Sequence, residues 1–459
     1  MKVRDIIQIT KSQLIIGNEN LECENFSKDT RTIQKGDIYI GIKGEKFDGS
    51  QFWKQALDNG AEAVIIENTE ITSEDIRQYS NKTIIKVENT LEALYEIARY
   101  KRSLYDIPVI AVTGSVGKTS TKDIIASVVS TKYKTLKTEG NNNNNIGLPL
   151  TILKLKDHEA LVIEMGMNHF GEISLLTSIA KPTLAVITNI GTSHIGILGS
   201  RENILKAKLE ILEGMGIPKI IINNDNDLLH KWYEENTNKI EIYTFGIKNE
   251  SDLNAENVQL REEGSEFTAV STKQTLNIKV PVGGEHFVYN ALCATQVGYN
   301  LGISNEKIMQ GIAQFELTKR RMEINKLENG AIVINDAYNA SYESMKAGLD
   351  FINRRTEIRK IAVLGDMLEL GEFSEELHRK VGKEVADKNI DILICAGEAS
   401  KYIIEEAEKN RKIKIYYFKN REQIVEKLKQ EIRKGDVVFV KASLGMKFFE
   451  ICSGLISDI

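Results

Sequence analysis

The chain has 459 residues, 42% of them hydrophobic, enough for several buried cores and two or three domains. Lys and Arg total 60 against 65 Asp and Glu, a formal charge of −5, so nothing marks a nucleic-acid binder and an anionic ligand must be met by a locally basic site. The scattered cysteines Cys23, Cys293, Cys395 and Cys452 lack the paired spacing of a zinc site or disulfide framework and suit a reducing cytosol.

The opening MKVRDIIQITKSQLIIG alternates apolar with polar residues and lacks the unbroken apolar core of a signal peptide. No later stretch approaches the roughly 18 apolar residues of a membrane span, so a cytoplasmic protein is expected. Residues 1–106 mix strand-like runs, DIYIGIKG and AEAVIIEN, with two helical patterns, FWKQALDNG and TLEALYEIARYKRSLY. They predict a small α/β domain closed by Asp106-Ile107-Pro108.

A second block, 107–317, opens with the buried-type strand IPVIAVTG and repeats strand, loop and helix through LVIEMG, LAVITNI and PKIIINN. That alternation predicts a mostly parallel sheet. Alternating stretches FTAVST and LNIKVPV add antiparallel strands, and HFVYNALCATQVGYNLG and SNEKIMQGIAQF are two helices leading out. A third block, 318–459, restarts the alternation with AIVINDA, SYESMKAGLDFINRR, KIAVLGDM, EELHRKVGKEVADK, DILICAG, IYYF and DVVFVKAS. It reads as a doubly wound, Rossmann-like α/β domain. The tract NNNNN, residues 141–145, is the only low-complexity segment.

The strongest local signal is VIAVTGSVGKTSTKDIIASVV. A buried strand feeds Thr113, Gly114, Ser115, Val116, Gly117, Lys118 and Thr119 and then a helix, the setting of a phosphate-binding loop. Glycines let the backbone curl until amide N–H groups and the helix N-terminus face an anion. Lys118 adds a mobile charge for the outer phosphates and Thr119 a hydroxyl for Mg²⁺. Val112 stands where the common pattern has a further glycine, so the compact form G-x-x-G-K-T is the one present. Glu164, closing LVIEMG, and His194, after LAVITNIGTSH, follow strands and project at the carboxyl edge of the sheet, where they suit metal binding. Lys208, on RENILKAKLEILEG, reads by itself as a solvated helix lysine.

TGSVGKTSTKD, GNNNNNIGLPLTIL, IEMGMNHFGEI, TNIGTSHI followed by AKLEI, HFVYNALCA, RRMEI, INDAYNASYESMKA and VLGDMLELGEFSEELH together resemble the Mur ligases. The likeness runs from about Phe26 to Glu450. VLGDMLELGE favours the branch that adds a dipeptide. The resemblance implies a UDP-binding first domain, a central ATP-binding domain and a last domain that closes over the site. It implies ATP and two Mg²⁺ ions, and joining of D-alanyl-D-alanine to UDP-N-acetylmuramoyl-tripeptide through an acyl phosphate, in a monomer. Asp29, Thr30, Arg31, Lys43 and Gly44 match the uridine segment, and Asn290, Arg321 and Asp336 match nucleotide contacts. Thr119 and Glu164 match the ligands of one metal, His194 and Lys208 the surroundings of the second, where the family lysine is often carbamylated. The Asn tract matches a substrate loop in which Asn141, Asn143 and Asn144 fit the pattern, Asn145 lies near the γ-phosphate and Asn142 is a spacer.

Departures from the family pattern are Ser50 in place of a histidine, Gly196 in place of an acid, Asn335 and Ser341 in place of an acid and a proline, and Ala442 in place of a glycine. They leave room for a changed substrate preference. A P-loop kinase or GTPase, for which no N-K-x-D motif is found, a silent nucleotide-binding protein, and ligases adding a diamino acid or folate-linked glutamate remain alternatives.

Overall fold

Val3, Ile6 and Ile7 lie three and four residues apart, and in the computed structural model they place the opening residues in helix α1 (Val3–Thr10) rather than in an alternating strand. Residues 1–44, 47–262, 264–355, 359–410 and 412–456 are described. Glu45 and Lys46, inside the uridine-like stretch, and the last three residues of the third block lie outside them. Asp5 in the first turn accepts the Lys2 N–H at 2.7 Å, satisfying a group the helix start leaves free.

The first sheet consists of β1 (Gln13–Ile16), β2 (Phe26–Ser27), β3 (Ile38–Ile40), β4 (Ala63–Ile66) and β5 (Thr83–Lys86), in the order β1-β5-β4-β3-β2. Only β1 runs antiparallel to its neighbour. Helices α2 (Trp53–Asp58), α3 (Ser73–Gln78) and α4 (Thr90–Ser103) complete this unit. Trp53, Leu57 and Tyr79 cover one face of the sheet, while α1 and α4 cover the other.

The second sheet, residues 109–280, holds β6 (Val109–Thr113), β7 (Thr135–Lys137), β8 (Ala160–Glu164), β9 (Leu184–Ile187), β10 (Lys219–Asn223), β11 (Glu241–Gly246), β12 (Leu253–Leu260), β13 (Ser265–Val270) and β14 (Thr275–Val280). Its order is β14-β13-β12-β11-β10-β9-β6-β8-β7. Pairing is parallel from β7 to β12 and antiparallel through β13 and β14. Its helices are α5 (Lys118–Ser130), α6 (Gly147–Leu153), α7 (Glu172–Ala180), α8 (Ile195–Leu198), α9 (Arg201–Leu209), α10 (Asp227–Asn236), α11 (Glu285–Asn300) and α12 (Asn305–Ala313). Because β8 and β9 flank β6 on opposite sides, the carboxyl end of β6 is a topological switch point, where open α/β sheets bind ligands. The other side of α4 packs against α6 and α7, and the buried Arg102 at its end donates to the Ala180 carbonyl at 2.8 Å.

The third sheet has β15 (Glu323–Lys326), β16 (Ile332–Asn335), β17 (Lys360–Gly365), β18 (Ile392–Ala396), β19 (Lys414–Phe418) and β20 (Val437–Lys441), ordered β15-β16-β20-β17-β18-β19. All pairs are parallel except the edge pair β15–β16. Residues 333, 361, 363, 392, 394, 438 and 440 point to a core shared with α16 (Arg421–Glu431) and α17 (Phe449–Ile456). The alternate residues point to α13 (Tyr342–Asn353), α14 (Ser374–Ala386) and α15 (Lys401–Ala407). Period-two alternation between two helical layers is the doubly wound arrangement the sequence predicts. Among the described residues, no helix is long and apolar enough to cross a membrane.

Candidate active site at the junction of two sheets

The buried strand β6 delivers the chain to Gly114, whose φ of +150° and lack of a side chain are both needed: an added Cβ would lie 2.0 Å from Thr188 Oγ1. Gly117, at φ +83°, turns the backbone into α5. The loop between them is braced by the segment after β9. The Ser115 and Val116 N–H groups donate to the Asn189 carbonyl (3.0 Å) and to Asn189 Oδ1 (2.9 Å). Thr188 Oγ1 and Asn189 Nδ2 donate to the Val116 carbonyl at 2.7 and 2.9 Å. With that half of the loop satisfied, the N–H groups opening α5 are left for an anion. Lys118 Nζ folds back onto the Gly114 carbonyl at 2.8 Å. Burial holds its pKa down and Arg321 lowers it further, while Glu164 opposes them.

A cavity of about 440 Å³ opens over this loop, lined by Lys118, Thr119, the Asn tract, Glu164 and His194 from the second unit and by Arg321, Tyr338 and Lys441 from the third. Glu164 sits at the end of β8, almost fully buried. Its Oε2 accepts from Thr119 Oγ1 at 2.9 Å and its Oε1 from Asn143 Nδ2 at 2.8 Å. One carboxylate and one hydroxyl side by side on a cavity wall suit Mg²⁺, which takes few protein oxygens and completes its shell with phosphates and water. Among the described residues no three His, Cys, Asp or Glu side chains converge. Arg321 Nη2 donates to Thr119 Oγ1 at 3.3 Å and its guanidinium lies 4.0 Å above the Tyr338 ring, leaving Nε without a partner.

His194 precedes α8 with φ +65°, a left-handed conformation uncommon for a non-glycine. Its Nδ1 lies 2.7 Å from Glu369 Oε2, an ion-pair distance without hydrogen-bond alignment. Burial, then Lys118, lower the imidazole pKa, and Glu369 works against them. Lys208 does not have the solvated position its helix pattern suggests: it is 1% exposed and does not line the cavity. Among the described residues it has no carboxylate partner, and burial, then Lys118, drive its pKa well below the usual lysine range. A buried ammonium is costly by several kcal/mol, which moves the balance toward the neutral amine, the form that adds CO₂.

Next to this cavity lies a smaller one of about 130 Å³, lined by Phe245, His286, Phe287, Tyr289 and Asn290 and sharing Gly117, Arg321 and Lys441. Asn290 Oδ1 accepts from Thr121 Oγ1 at 2.9 Å, while its buried Nδ2 has no partner among the described residues. Burial pushes His286 down to about 4, which keeps this wall uncharged. Asp336 also lines the smaller cavity, but its Oδ2 is paired with Lys441 and its Oδ1 takes the Met322 N–H at 3.2 Å.

The Asn tract divides by role. Asn143 meets Glu164, and its carbonyl accepts from Gly166 N–H at 2.9 Å. Asn144 Oδ1 accepts the N–H groups of Ile146 and Gly147 at 3.2 and 2.8 Å, an N-terminal cap on α6 that occupies its oxygen. Asn145 lines the cavity but donates to the Tyr95 hydroxyl at 3.0 Å. Asn141 is exposed and away from the cavity, and Asn142 contributes backbone against which Gly147 packs. Asn143→Ala should therefore lower kcat about tenfold by releasing Glu164, the value of one charged hydrogen bond. Asn142→Ala should leave the rate within about twofold. Steady-state turnover of the two variants checks this, and equal rates would remove Asn143 from the site.

Asp29, Thr30, Arg31, Lys43 and Gly44 lie along the edge of the first sheet and none of them lines either cavity. Arg31 Nη2 is 2.6 Å from Asp29 Oδ2 and holds that carboxyl at about 2. Thr30 Oγ1 donates to Gln55 at 3.4 Å and the Gly44 N–H to the Phe47 carbonyl at 2.8 Å. Several departures have structural work: buried Ser50 donates to the Gly41 carbonyl and accepts the Glu67 N–H, and Ser341 caps α13. Asn335 Nδ2 donates to Glu323 at 3.2 Å, and Ala442 is buried against Gly365. Tyr338, Lys441, Glu343 and Glu369 were not selected from sequence as site residues, and Asn143 was matched to the substrate-loop pattern without its partner Glu164. Tyr338 and Lys441 lie in strand-end motifs quoted above, a signal that could have singled them out; contacts between units have no such signal.

Profiles described as Mur ligase family, catalytic domain (residues 24–102), Mur ligase middle domain (112–298) and Mur ligase, glutamate ligase domain (320–444) match the chain. It is 38% identical over 461 aligned residues to the UDP-N-acetylmuramoyl-tripeptide–D-alanyl-D-alanine ligase of Bacillus subtilis, covering 99% of this chain and 98% of that protein. Among solved structures it is similar to MurF from Acinetobacter baumannii (28% identity, 100% and 99% of the two chains, TM-score 0.89). It is also similar to MurF ligase from Thermotoga maritima in complex with ADP (28% identity, 96% and 99%, TM-score 0.82).

Proposed function

The chain belongs to the Mur ligase family, and from that premise we propose that it joins D-alanyl-D-alanine to UDP-N-acetylmuramoyl-tripeptide with hydrolysis of ATP to ADP and phosphate, in cytoplasmic peptidoglycan-precursor synthesis. The observation that carries this reading is a phosphate loop and an acidic strand end roofed by Arg321 of the third unit, in a chain similar to such a ligase over almost its full length. The proposed domains are 1–106 for the UDP moiety, 107–317 for ATP and 318–459 for the dipeptide and closure. On the same reading the protein acts as a monomer.

In the proposed reaction the tripeptide carboxylate attacks the γ-phosphorus and ADP leaves, giving an acyl phosphate. The dipeptide amine then attacks the acyl carbon, and phosphate departs from the tetrahedral intermediate. The first step presses two anions together, and Lys118 and Arg321 face that position from opposite units. Thr119 and Glu164 would hold one Mg²⁺, and His194 with a carbamylated Lys208 a second; bound there, the ions supply charge neutralisation at the phosphates. The smaller cavity, with the free Nδ2 of Asn290 and neutral aromatic walls, suits a base. Holding amine and acyl phosphate in register while excluding water is worth about 7 kcal/mol or more of the barrier.

Phosphate release by the purified protein should require ATP, UDP-N-acetylmuramoyl-tripeptide and D-alanyl-D-alanine together. Turnover with a diamino acid, D-glutamate or folate plus glutamate, and none with the dipeptide, would reject the assignment.

A further inference from the structure

We propose that Glu343 and Glu369, both on the third unit, are positioning residues for His194, so that seating of that unit and correct placement of the imidazole are a single event. The loop Gly191–Gly196 is held from two sides. Toward the phosphate loop, the Gly191 N–H donates to Ser115 Oγ at 2.9 Å and Ser193 Oγ donates to the Ser115 carbonyl at 3.1 Å. Toward the third unit, Glu343, in the first turn of α13, accepts the Thr192 N–H at 2.8 Å with Oε1 and the Thr192 hydroxyl at 3.0 Å with Oε2. Glu369 accepts the Gly196 N–H with its carbonyl at 3.2 Å and places its carboxylate beside His194 Nδ1.

Two glycines make this approach feasible. A Cβ on Gly191 would sit 2.6 Å from Glu343 Cδ, a contact a flexible side chain can yield to. A Cβ on Gly196 would sit 2.4 Å from both Gly371 N and the Leu370 carbonyl carbon, where the opposing atoms are backbone and cannot. The grip therefore spans Gly191 to Gly196 with His194 inside it. A non-glycine at positive φ costs of order 1–3 kcal/mol and persists where its surroundings over-determine it; for His194 they do so from both units at once.

The test uses the full chain. The ring resonances of His194 are identified by their loss in His194→Gln and followed in Glu343→Ala and Gly196→Ala, neither of which alters a group touching the ring by side-chain contact. Steady-state turnover is measured alongside, under the conditions given above. We expect the His194 resonances to shift in both variants and kcat to fall at least about tenfold, with KM for ATP within about threefold. If Glu343→Ala leaves either the resonances or kcat unchanged, the proposal is overturned, and that variant remains informative if Gly196→Ala folds poorly. Only the kcat readout rests on the ligase reading: a protein with no ligase turnover fails that reading, whereas the resonances still report on the grip.

Discussion

Lys118→Ala should reduce ATP-dependent phosphate release by about 10³-fold or more, while far-ultraviolet circular dichroism and the thermal midpoint stay near those of the parent. The size follows from what the amine does. Loss of a charge aimed at a transferring phosphoryl group typically costs two to five orders of magnitude, as for about 10²–10³ per oxyanion donor and 10³–10⁵ for an arginine finger. Here the cost lies toward the upper part, because no second lysine lines the loop from the same side and Arg321 approaches from the third unit. Folding should be spared: the amine's recorded bonds are to the carbonyls of Gly114 and Ser115, at the rim of a cavity rather than in the core. A secondary signature follows from electrostatics. Lys118 depresses both His194 and Lys208, so its removal should raise the pKa of the His194 ring, readable by a pH titration of its resonances. A variant with the parent's rate would end the phosphate-loop reading.

The second large effect is at Lys208. Replacement by alanine should lower kcat at least about 100-fold, and replacement by arginine should do the same. The two variants together separate chemistry from bulk. Arginine fills the space but stays charged near neutral pH and sets a second cation within range of Lys118, whereas a carbamate would present two oxygens of opposite charge. Burial, then Lys118, depress the Lys208 pKa, so protonating the amine as the pH falls works against the folded site instead of restoring an ion pair. Labelled bicarbonate should give a carbamate carbon resonance in the parent protein that is absent in Lys208→Ala. A parent that turns over fully in CO₂-free buffer and shows no such resonance would exclude the modification.

The phosphate loop was legible because all its parts are contiguous: one strand, two glycines and one helix start carry the whole signal. The long strands of the second and third sheets were legible for a related reason, since runs such as IIIN or VVFVK are buried on both faces and need no partner to be recognised. Strands β7, β11 and β15 were passed over; the edge strands β7 and β15 are short and half exposed, so neither a continuous apolar run nor clean alternation marks them, while β11 lies inside its sheet but begins with an exposed residue. Lys208 shows the limit most clearly. Its helix carries four charged residues among nine, and only the packing of α9 buries Lys208 beside Ile204 and Ala207. Glu343 and Glu369 contact residues some 150 to 175 positions earlier, and no local pattern encodes where one unit rests on another. Within the Asn tract the composition was uniform, so the division into a carboxylate partner, a helix cap and a spacer emerges only once Glu164 and α6 are in place.

Helix α4 has a consequence for which substrates the protein accepts. One side of it belongs to the core of the first sheet and the other is packed on α6 and α7, with Arg102 pinning its end to the second unit. The first two units are therefore joined by a common wall, which sets the span from the segment around Arg31 to the phosphate loop. On the proposed binding mode α4 works as a gauge. A nucleotide-anchored peptide one residue too short or too long would carry its terminal carboxylate about 3.3–3.6 Å out of register, far outside the tolerance of a near-attack geometry. Donor length would then be measured by this wall, leaving the third unit to judge the acceptor.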